Sequence, residues 1–304
     1  MTTVCVVIPT YQPGTLLNCL AGVFGGKVRP DHVVVVDNAS TDGSIEEARQ
    51  SFPTVEFIQN AENVGFGSAC NQGIELGLSR GVDYVFLLNQ DAEIAADALE
   101  SMIGLAERQS RVGVVGSRTL LGKATSTAAP KLLYNGSYRT WLPLWQRIPG
   151  CGQPDNPADD EPREVDIVWG HAMLLKSAAL RAVGLFDSGF FMYYEDVDLC
   201  QRMQQAGWQC WCDSQAITWH DIDDGARASH SEDWRWHLKQ SSSRYFYRKH
   251  YPRFRGAALW LLTGFREFAS LLRHGHGKAA WHLVRAMGKV VAGCPEPRPG
   301  VRMV

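Results

Sequence analysis

Four consecutive valines, Val33 to Val36, ending at Asp37 restrict the fold more than any other stretch of this chain. A β-branched run that is apolar at every position has no face to give to water. It reads as a strand buried on both sides, as in a parallel sheet. Residues 4–9, 55–59, 84–88 and 112–117 also read as strands. Helical segments separate them: Leu16, Leu17, Leu20 and Val23 form one apolar face, and further helices are expected over 44–52, 68–79 and 95–108. The alternation predicts an α/β, doubly wound sheet with ligands at the carboxyl ends of its strands.

The rhythm breaks after residue 118. Residues 119–164 mix small-residue stretches with an Asn135-Gly136 pair suited to a hairpin turn. An insertion of this kind is a lid or substrate loop, or has no fixed structure. A strand is expected at 165–169, a helix at 176–183, strands at 209–212 and 216–219, and a helix at 232–250. From 255 to about 292 the pattern gives two helices broken at His274-Gly275-His276-Gly277, followed by a frayed PEPRPG end.

The net charge of −2 over 304 residues gives no basic footprint for nucleic acid. Eight cysteines are scattered through the chain, as suits buried thiols in a reducing compartment, and Cys210 and Cys212 read as strand residues. Neither a secretory leader nor an apolar run of the roughly 18 to 20 residues needed to span a bilayer is recognisable, so a cytoplasmic location is expected. The charge is uneven, however. From Gly256 onward, seven Lys and Arg face two Glu. There Trp260, Leu261, Leu262, Phe265, Phe268, Leu271 and Leu272 form an apolar stripe interleaved with Arg266 and Arg273. Such a helix lies on an anionic membrane surface, or packs on its own domain, or pairs with a second subunit in a homodimer.

Polar clusters sit where the first strands end: Pro9-Thr10-Tyr11, Asp37 to Ser44, Asn63 to Gly67 with Asn71 beyond, and Asn89-Gln90-Asp91. Each alone is an ordinary turn or cap, but at one edge of one sheet they would share a crevice. Gly65-Phe66-Gly67 follows the third strand and lacks the third glycine of a dinucleotide fingerprint, and no P-loop lysine is present. Asp37, an acid after strand two, suits a base or ribose contact. A lone carboxylate after the central strand, Asp91, suits a hard divalent cation, Mg2+ or Mn2+, bridging phosphates. His220, at a late strand end, is a further ligand or a packed strand residue. Downstream, Phe190, Phe191, Tyr193 and Tyr194 lead into Glu195, Asp196 and Asp198. On their own these three acids complement the positive end of a helix. Asp198 is expected to cap that helix or pair with Arg202 four residues on.

Taken together, VVIPTY (6–11), VVVVDNASTDGS (33–44), NVGFGSACNQGI (63–74), YVFLLNQDA (84–92), VWGHAMLLKSAALRAVGLFD (168–187), FFMYYEDVDLCQR (190–202) and His220 resemble the inverting family 2 glycosyltransferases, most closely their bacterial rhamnosyltransferase branch. The resemblance spans roughly residues 4 to 225. It implies a GT-A fold: a nucleotide-sugar-binding half over 1–118, a smaller acceptor-binding and catalytic half of the same domain over 119–250, and C-terminal amphipathic helices over 251–304. It also implies that Pro9, Thr10, Tyr11, Asp37, Asn63, Gly65, Asn71 and Asn89 surround the nucleotide. Asp91 and His220 would hold a divalent metal, and Asp196, kept ionised by its first-turn position, would be the catalytic base. Trp169, Gly170, Tyr194 and Glu195 would line donor sugar and acceptor. The family's Asp-any-Asp motif is Asn89-Gln90-Asp91 here, one carboxylate short. That weakens metal affinity and leaves metal dependence open. The expected reaction moves L-rhamnose from dTDP-L-rhamnose, with inversion, to a glycan or lipid-linked oligosaccharide precursor, at the cytoplasmic face of the inner membrane if the tail binds lipid. A UDP-hexose or UDP-furanose donor, or a sugar-nucleotide-binding protein without turnover, are the alternatives.

Overall fold

The computed structural model describes residues 2–12, 14–126, 129–140, 146–156, 161–221 and 231–294. The PEPRPG end expected to fray lies outside the described residues, as do parts of the 119–164 insertion.

The valine run forms β2 (His32–Asp37) beside β1 (Val4–Thr10), β3 (Glu56–Gln59) and β4 (Tyr84–Leu88). These strands are parallel and ordered β3-β2-β1-β4. Alternate valines serve opposite cores. Val33 and Val35 pack with α1 (Leu16–Gly25), α2 (Ser44–Ser51) and α4 (Ala98–Arg108). Val34 and Val36 pack with α3 (Phe66–Ser79), α5 (Ser177–Val183) and α6 (Glu195–Gln205). This double burial is what an apolar run without alternation requires. α3 lies unusually close to β1, because a Cβ on Gly73 would fall 2.3 Å from Val7 Cγ1.

Beyond β4 the sheet continues through β11 (Ala172–Lys176), antiparallel between β4 and β6 (Val112–Leu121), and then through β12 (Gln209–His220), parallel to β6. β6 runs unbroken through residues 118 and 119, where the two halves were expected to meet. β5 (Ala92–Ile94) and β10 (Arg163–Val165) pair with β12, and β7 (Lys131–Tyr134) pairs with β6.

Several expected boundaries differ. Residues 166–171 are a connection, and the strand expected at 165–169 lies at β11 instead; both stretches are apolar, so periodicity could not choose between them. The two late strands are one strand with a register shift between Asp213 and Ile217. Asn135-Gly136 does not close a hairpin. β7 pairs with β6, whereas β8 (Tyr138–Arg139) pairs with β9 (Gln146–Arg147). β5, three residues long, was not anticipated.

The C-terminal part comprises α7 (Glu232–His250), α8 (Arg253–Arg273) and α9 (Gly277–Val291), the last two separated at Gly275 with φ +78°. Ser231 caps α7 by accepting from Trp234 N over 3.3 Å. Phe246, Tyr247, Leu259, Trp260 and Val290 of these helices share a core with Ile167, Phe190 and Val197 of the sheet domain. One face of the expected tail therefore packs on the chain's own domain. Among the described residues no helix is long and apolar enough to cross a membrane.

Candidate active site

β1 and β4 are adjacent, yet the chain goes from β1 to β2 toward one edge of the sheet and from β4 to β6 toward the other, the arrangement that opens a crevice at carboxyl ends. Side chains lock the two ends together. Tyr11 N donates to Gln90 Oε1 (2.6 Å), Gln90 Nε2 donates to Tyr11 O (3.1 Å), and Thr15 Oγ1 donates to Gln90 O (3.0 Å). A cavity of about 870 Å³ opens there. Pro9, Thr10, Tyr11, Asn63 and Asn89 all line it.

Asp37, Gly65 and Asn71 stand behind that wall. Asp37 is buried and its Oδ1 accepts from Ser40 N over 3.0 Å, shaping the loop that presents Asn38 to the cavity. Asn63 Oδ1 accepts from Gly65 N (2.9 Å). Gly65 has φ +89°, and a Cβ there would lie 2.5 Å from Phe191 O, so only glycine lets the two loops meet. Phe66 N then donates to Phe191 O over 2.9 Å. The Asn71 amide is engaged by the Phe186 backbone, donating to its oxygen (2.8 Å) and accepting from its nitrogen (3.0 Å).

Asp91 and His220 do come together: Oδ1 and Nε2 are 3.0 Å apart on the cavity wall. Asn89 Nδ2 is 3.5 Å from the same His220 nitrogen, and Asn89 Oδ1 is buried without a hydrogen-bond partner. A carboxylate, an imidazole and an unused amide oxygen suit a hard divalent cation that takes its remaining ligands from phosphate and water. Among the described residues no group of three or more His, Cys, Asp and Glu is assembled, so the protein alone offers a sparse site. His171 lies flat on His220, with ring centroids 4.9 Å apart and planes at 7°. Burial, and then the nearby His220, hold the His171 imidazole well below its ordinary pKa, so it is neutral; its Nε2 is 2.6 Å from Thr119 Oγ1.

The acids of α6 occupy the next part of the cavity. Tyr193 and Tyr194 both have φ +70°, a left-handed conformation that costs side chains about 1–3 kcal/mol each and here swings the chain into the helix. Asp196 Oδ2 accepts from Gly170 N (3.1 Å) and Oδ1 from Val197 N (2.7 Å). A first-turn position alone would lower its pKa, but burial outweighs it and raises the carboxyl. Burial, and then the neighbouring Asp196, push Glu195 up to about 8. Glu195 Oε2 has no hydrogen-bond partner. Near neutral pH the pair therefore keeps its proton on Glu195, and Asp196, with two N–H donors, is the carboxylate. Trp169, Gly170, Tyr194, Glu195 and Asp196 all line the cavity.

Asp198 is fully buried and turned the other way, toward Arg202 (2.8 Å), Lys249 (2.7 Å) and His250 (2.7 Å). Burial alone would raise it, but His250, Lys249 and Arg202 bring it down to about 2. The expected Arg202 partner is present, and the two from α7 were out of reach of local reasoning.

Residues past α6 supply the far wall. Trp234, Trp236 and Lys239 of α7, Thr263 and Glu267 of α8 and Ala279 of α9 line the cavity, with Lys239 Nζ donating to Glu267 Oε1 over 2.5 Å. Aromatic faces beside an ion pair suit a sugar, which offers apolar ring faces and hydroxyls. Arg139 and Gln201 also line it, and Arg139 Nε and Nη2 and Gln201 Oε1 are buried without partners. Sequence reasoning singled out none of these, nor His171.

The family model described as Glycosyl transferase family 2 matches residues 5–181. An N-acetylglucosaminyl-diphospho-decaprenol L-rhamnosyltransferase of Mycobacterium tuberculosis is 34% identical over 218 residues, covering 67% of this chain and 71% of that protein. Rhamnosyltransferase WbbL of Escherichia coli is 39% identical over 85 residues, 28% of this chain and 32% of its own. Among solved structures, a GalNAc-T7 crystal structure with UDP, GalNAc and Mn2+ superposes with a TM-score of 0.59 at 15% identity. It covers 98% of this chain, which spans 59% of that longer one.

Proposed function

Because the chain belongs to glycosyl transferase family 2 and is a glycosyltransferase of α/β, GT-A architecture, we propose that it transfers L-rhamnose from dTDP-L-rhamnose, with inversion, to a hydroxyl of a lipid-linked, N-acetylglucosamine-bearing acceptor. The rhamnosyltransferase relatives support the donor sugar, and the name of the mycobacterial relative supports the acceptor class. The observation that carries the chemistry is the Asp196 carboxylate, held by Gly170 N at 3.1 Å in the same cavity as the Asp91–His220 pair.

In this reading the nucleoside diphosphate lies against Pro9, Thr10, Tyr11, Asn38 and Asn63, with Asp37 and Gly65 shaping the loops behind. Asn71 holds the Phe186 backbone beside them. Asp91 and His220, with Asn89 beside them, would hold a divalent cation, which when bound neutralises charge on the departing diphosphate. Asp196 takes the proton of the acceptor hydroxyl as that oxygen attacks the anomeric carbon. Its raised pKa makes it a stronger base than an exposed carboxylate. Glu195, protonated, can donate a hydrogen bond to a sugar oxygen without adding a second negative charge. A single displacement needs one base and leaves no covalent sugar on the protein. Trp169, Tyr194 and the α7 aromatics form the acceptor side. A sugar-nucleotide donor places the reaction in the cytoplasm, and a lipid-linked acceptor places it at a membrane surface.

The test is nucleoside diphosphate release by purified protein, over a panel of sugar nucleotides, with an N-acetylglucosaminyl-diphospho-lipid analogue and with or without Mg2+ or Mn2+. Release with dTDP-L-rhamnose above all other donors is expected. A preference for a UDP-hexose or UDP-furanose would overturn the donor assignment.

A further inference from the structure

α8 has two faces of different chemistry. Leu259, Trp260, Thr263 and Gly264 are buried on the inner side, and Thr263 and Glu267 reach the catalytic cavity. On the outer side Phe254 is 91% exposed, Phe265 69%, Leu261 52%, and Leu262 and Leu272 51% each. Together with Ala258 and Ala269, these residues recur at three- and four-residue intervals and make one stripe about 27 Å long from Phe254 to Leu272. Isolated exposed apolar residues need no explanation, but a continuous stripe of large ones does. Arg255, Arg266 and Arg273 each follow a stripe residue by one position, so they line a single edge of it. In α9, Trp281, three residues from Lys278, is 62% exposed.

We propose that this outer face of α8 seats the enzyme on a bilayer surface containing anionic lipid. The apolar stripe would enter the headgroup boundary, and the arginine edge would meet lipid phosphates while its aliphatic stems stay in the apolar layer. Charge selects this occupant over a second copy of the chain. Pairing of this face with a second copy would bring two net-basic helical surfaces together, and with the helices antiparallel it would set arginine edge against arginine edge. Glu267, the one acidic residue of α8 and α9, cannot relieve that repulsion because it is turned to Lys239 of α7. The proposal rests on the lipid-linked acceptor reading only for its purpose. It would put the cavity wall built by Thr263, Glu267 and Ala279 next to the surface from which such an acceptor rises.

The experiment is flotation of the full chain with vesicles of phosphatidylglycerol and phosphatidylcholine, against vesicles of phosphatidylcholine alone. Binding to the anionic vesicles is expected, with release as salt is raised to about 0.5 M. Phe254→Ser with Phe265→Ser, and separately Arg255→Glu with Arg273→Glu, should each lower the bound fraction at least about tenfold. Both variants should keep the parent's melting temperature and its nucleoside diphosphate release with a water-soluble acceptor. No binding to anionic vesicles, or binding untouched by either variant, would overturn the proposal. So would a dimer in sedimentation that dissociates in the Phe variant while nothing floats. Failure of the transfer reading shows separately, in the soluble-acceptor assay, whatever the vesicles do.

Discussion

Gly170 N donates to Asp196 Oδ2 over 3.1 Å, so the loop that enters β11 fixes a carboxylate on the first turn of α6. The contact joins residues 26 positions apart across the mouth of the cavity, and aims one oxygen of the acid without a charged partner.

Replacing that acid isolates the proton transfer. Asp196→Asn keeps the shape and can still accept from Gly170 N through its amide oxygen, so the fold should survive. Turnover should fall by about 10²- to 10⁴-fold, the usual worth of a positioned base, with little change in donor affinity. Donor titration beside steady-state rates checks this, and an undiminished kcat removes Asp196 from the chemistry.

Glu195 makes a pH prediction of definite sign. Its folded pKa, about 8, lies above the ordinary 4.5 of a glutamate, so the folded state holds the extra proton. The stability that this gives is complete below about pH 4.5 and is lost as pH rises through 8. Glu195→Gln keeps the neutral form at every pH. It should therefore be the more stable protein at pH 8.5, by on the order of 4 kcal/mol relative to its standing at pH 4.5, where it has no such advantage. Thermal melts across that range decide it; parallel pH profiles would refute it.

The sparse cation site should respond in two directions. Asp91→Asn removes the sole carboxylate and should weaken Mn2+ binding, measured calorimetrically with nucleoside diphosphate present, by at least about tenfold. Asn89→Asp should tighten it, because Asn89 Oδ1 is already buried there without a partner. Equal Mn2+ affinity in all three proteins would mean that the cation, if any, sits elsewhere.

Asp198 is structural, and its loss should read as such. Asp198→Ala leaves Arg202, Lys249 and His250 clustered without their shared anion, a change expected to cost about 3–5 kcal/mol. Its folded pKa is depressed, so its contribution is present above about pH 4 and is lost as pH falls through about 2. Denaturant unfolding at pH 7 and pH 2 should show a large difference between variant and parent at the first and a much smaller one at the second.

What sequence could reveal follows from the range of each interaction. The parallel strands were legible because VVVVD and its companions carry their burial in their own composition. The crevice was legible because four strand ends each carried a polar cluster. β11 was hidden because AMLLK follows another apolar stretch, and nothing local says which one enters the sheet. The Asn71 amide meets the Phe186 backbone 115 residues away, a pairing no local pattern records. His171 stood inside a recognised motif without a role, since its function as a flat support for His220 exists only once β11 and β12 are in the same sheet. Arg139 sits in the insertion that broke the strand rhythm, where no periodicity helped.

Thr263, Glu267 and Ala279 close the far side of the cavity from positions more than 80 residues beyond residue 181, where the family match ends. Trimming α8 and α9 to obtain a smaller protein would leave the strand-end crevice intact but remove the barrier on the acceptor side. Bulk water would then compete for the activated sugar, and such a shortened chain would tend toward hydrolysing its donor instead of extending a glycan.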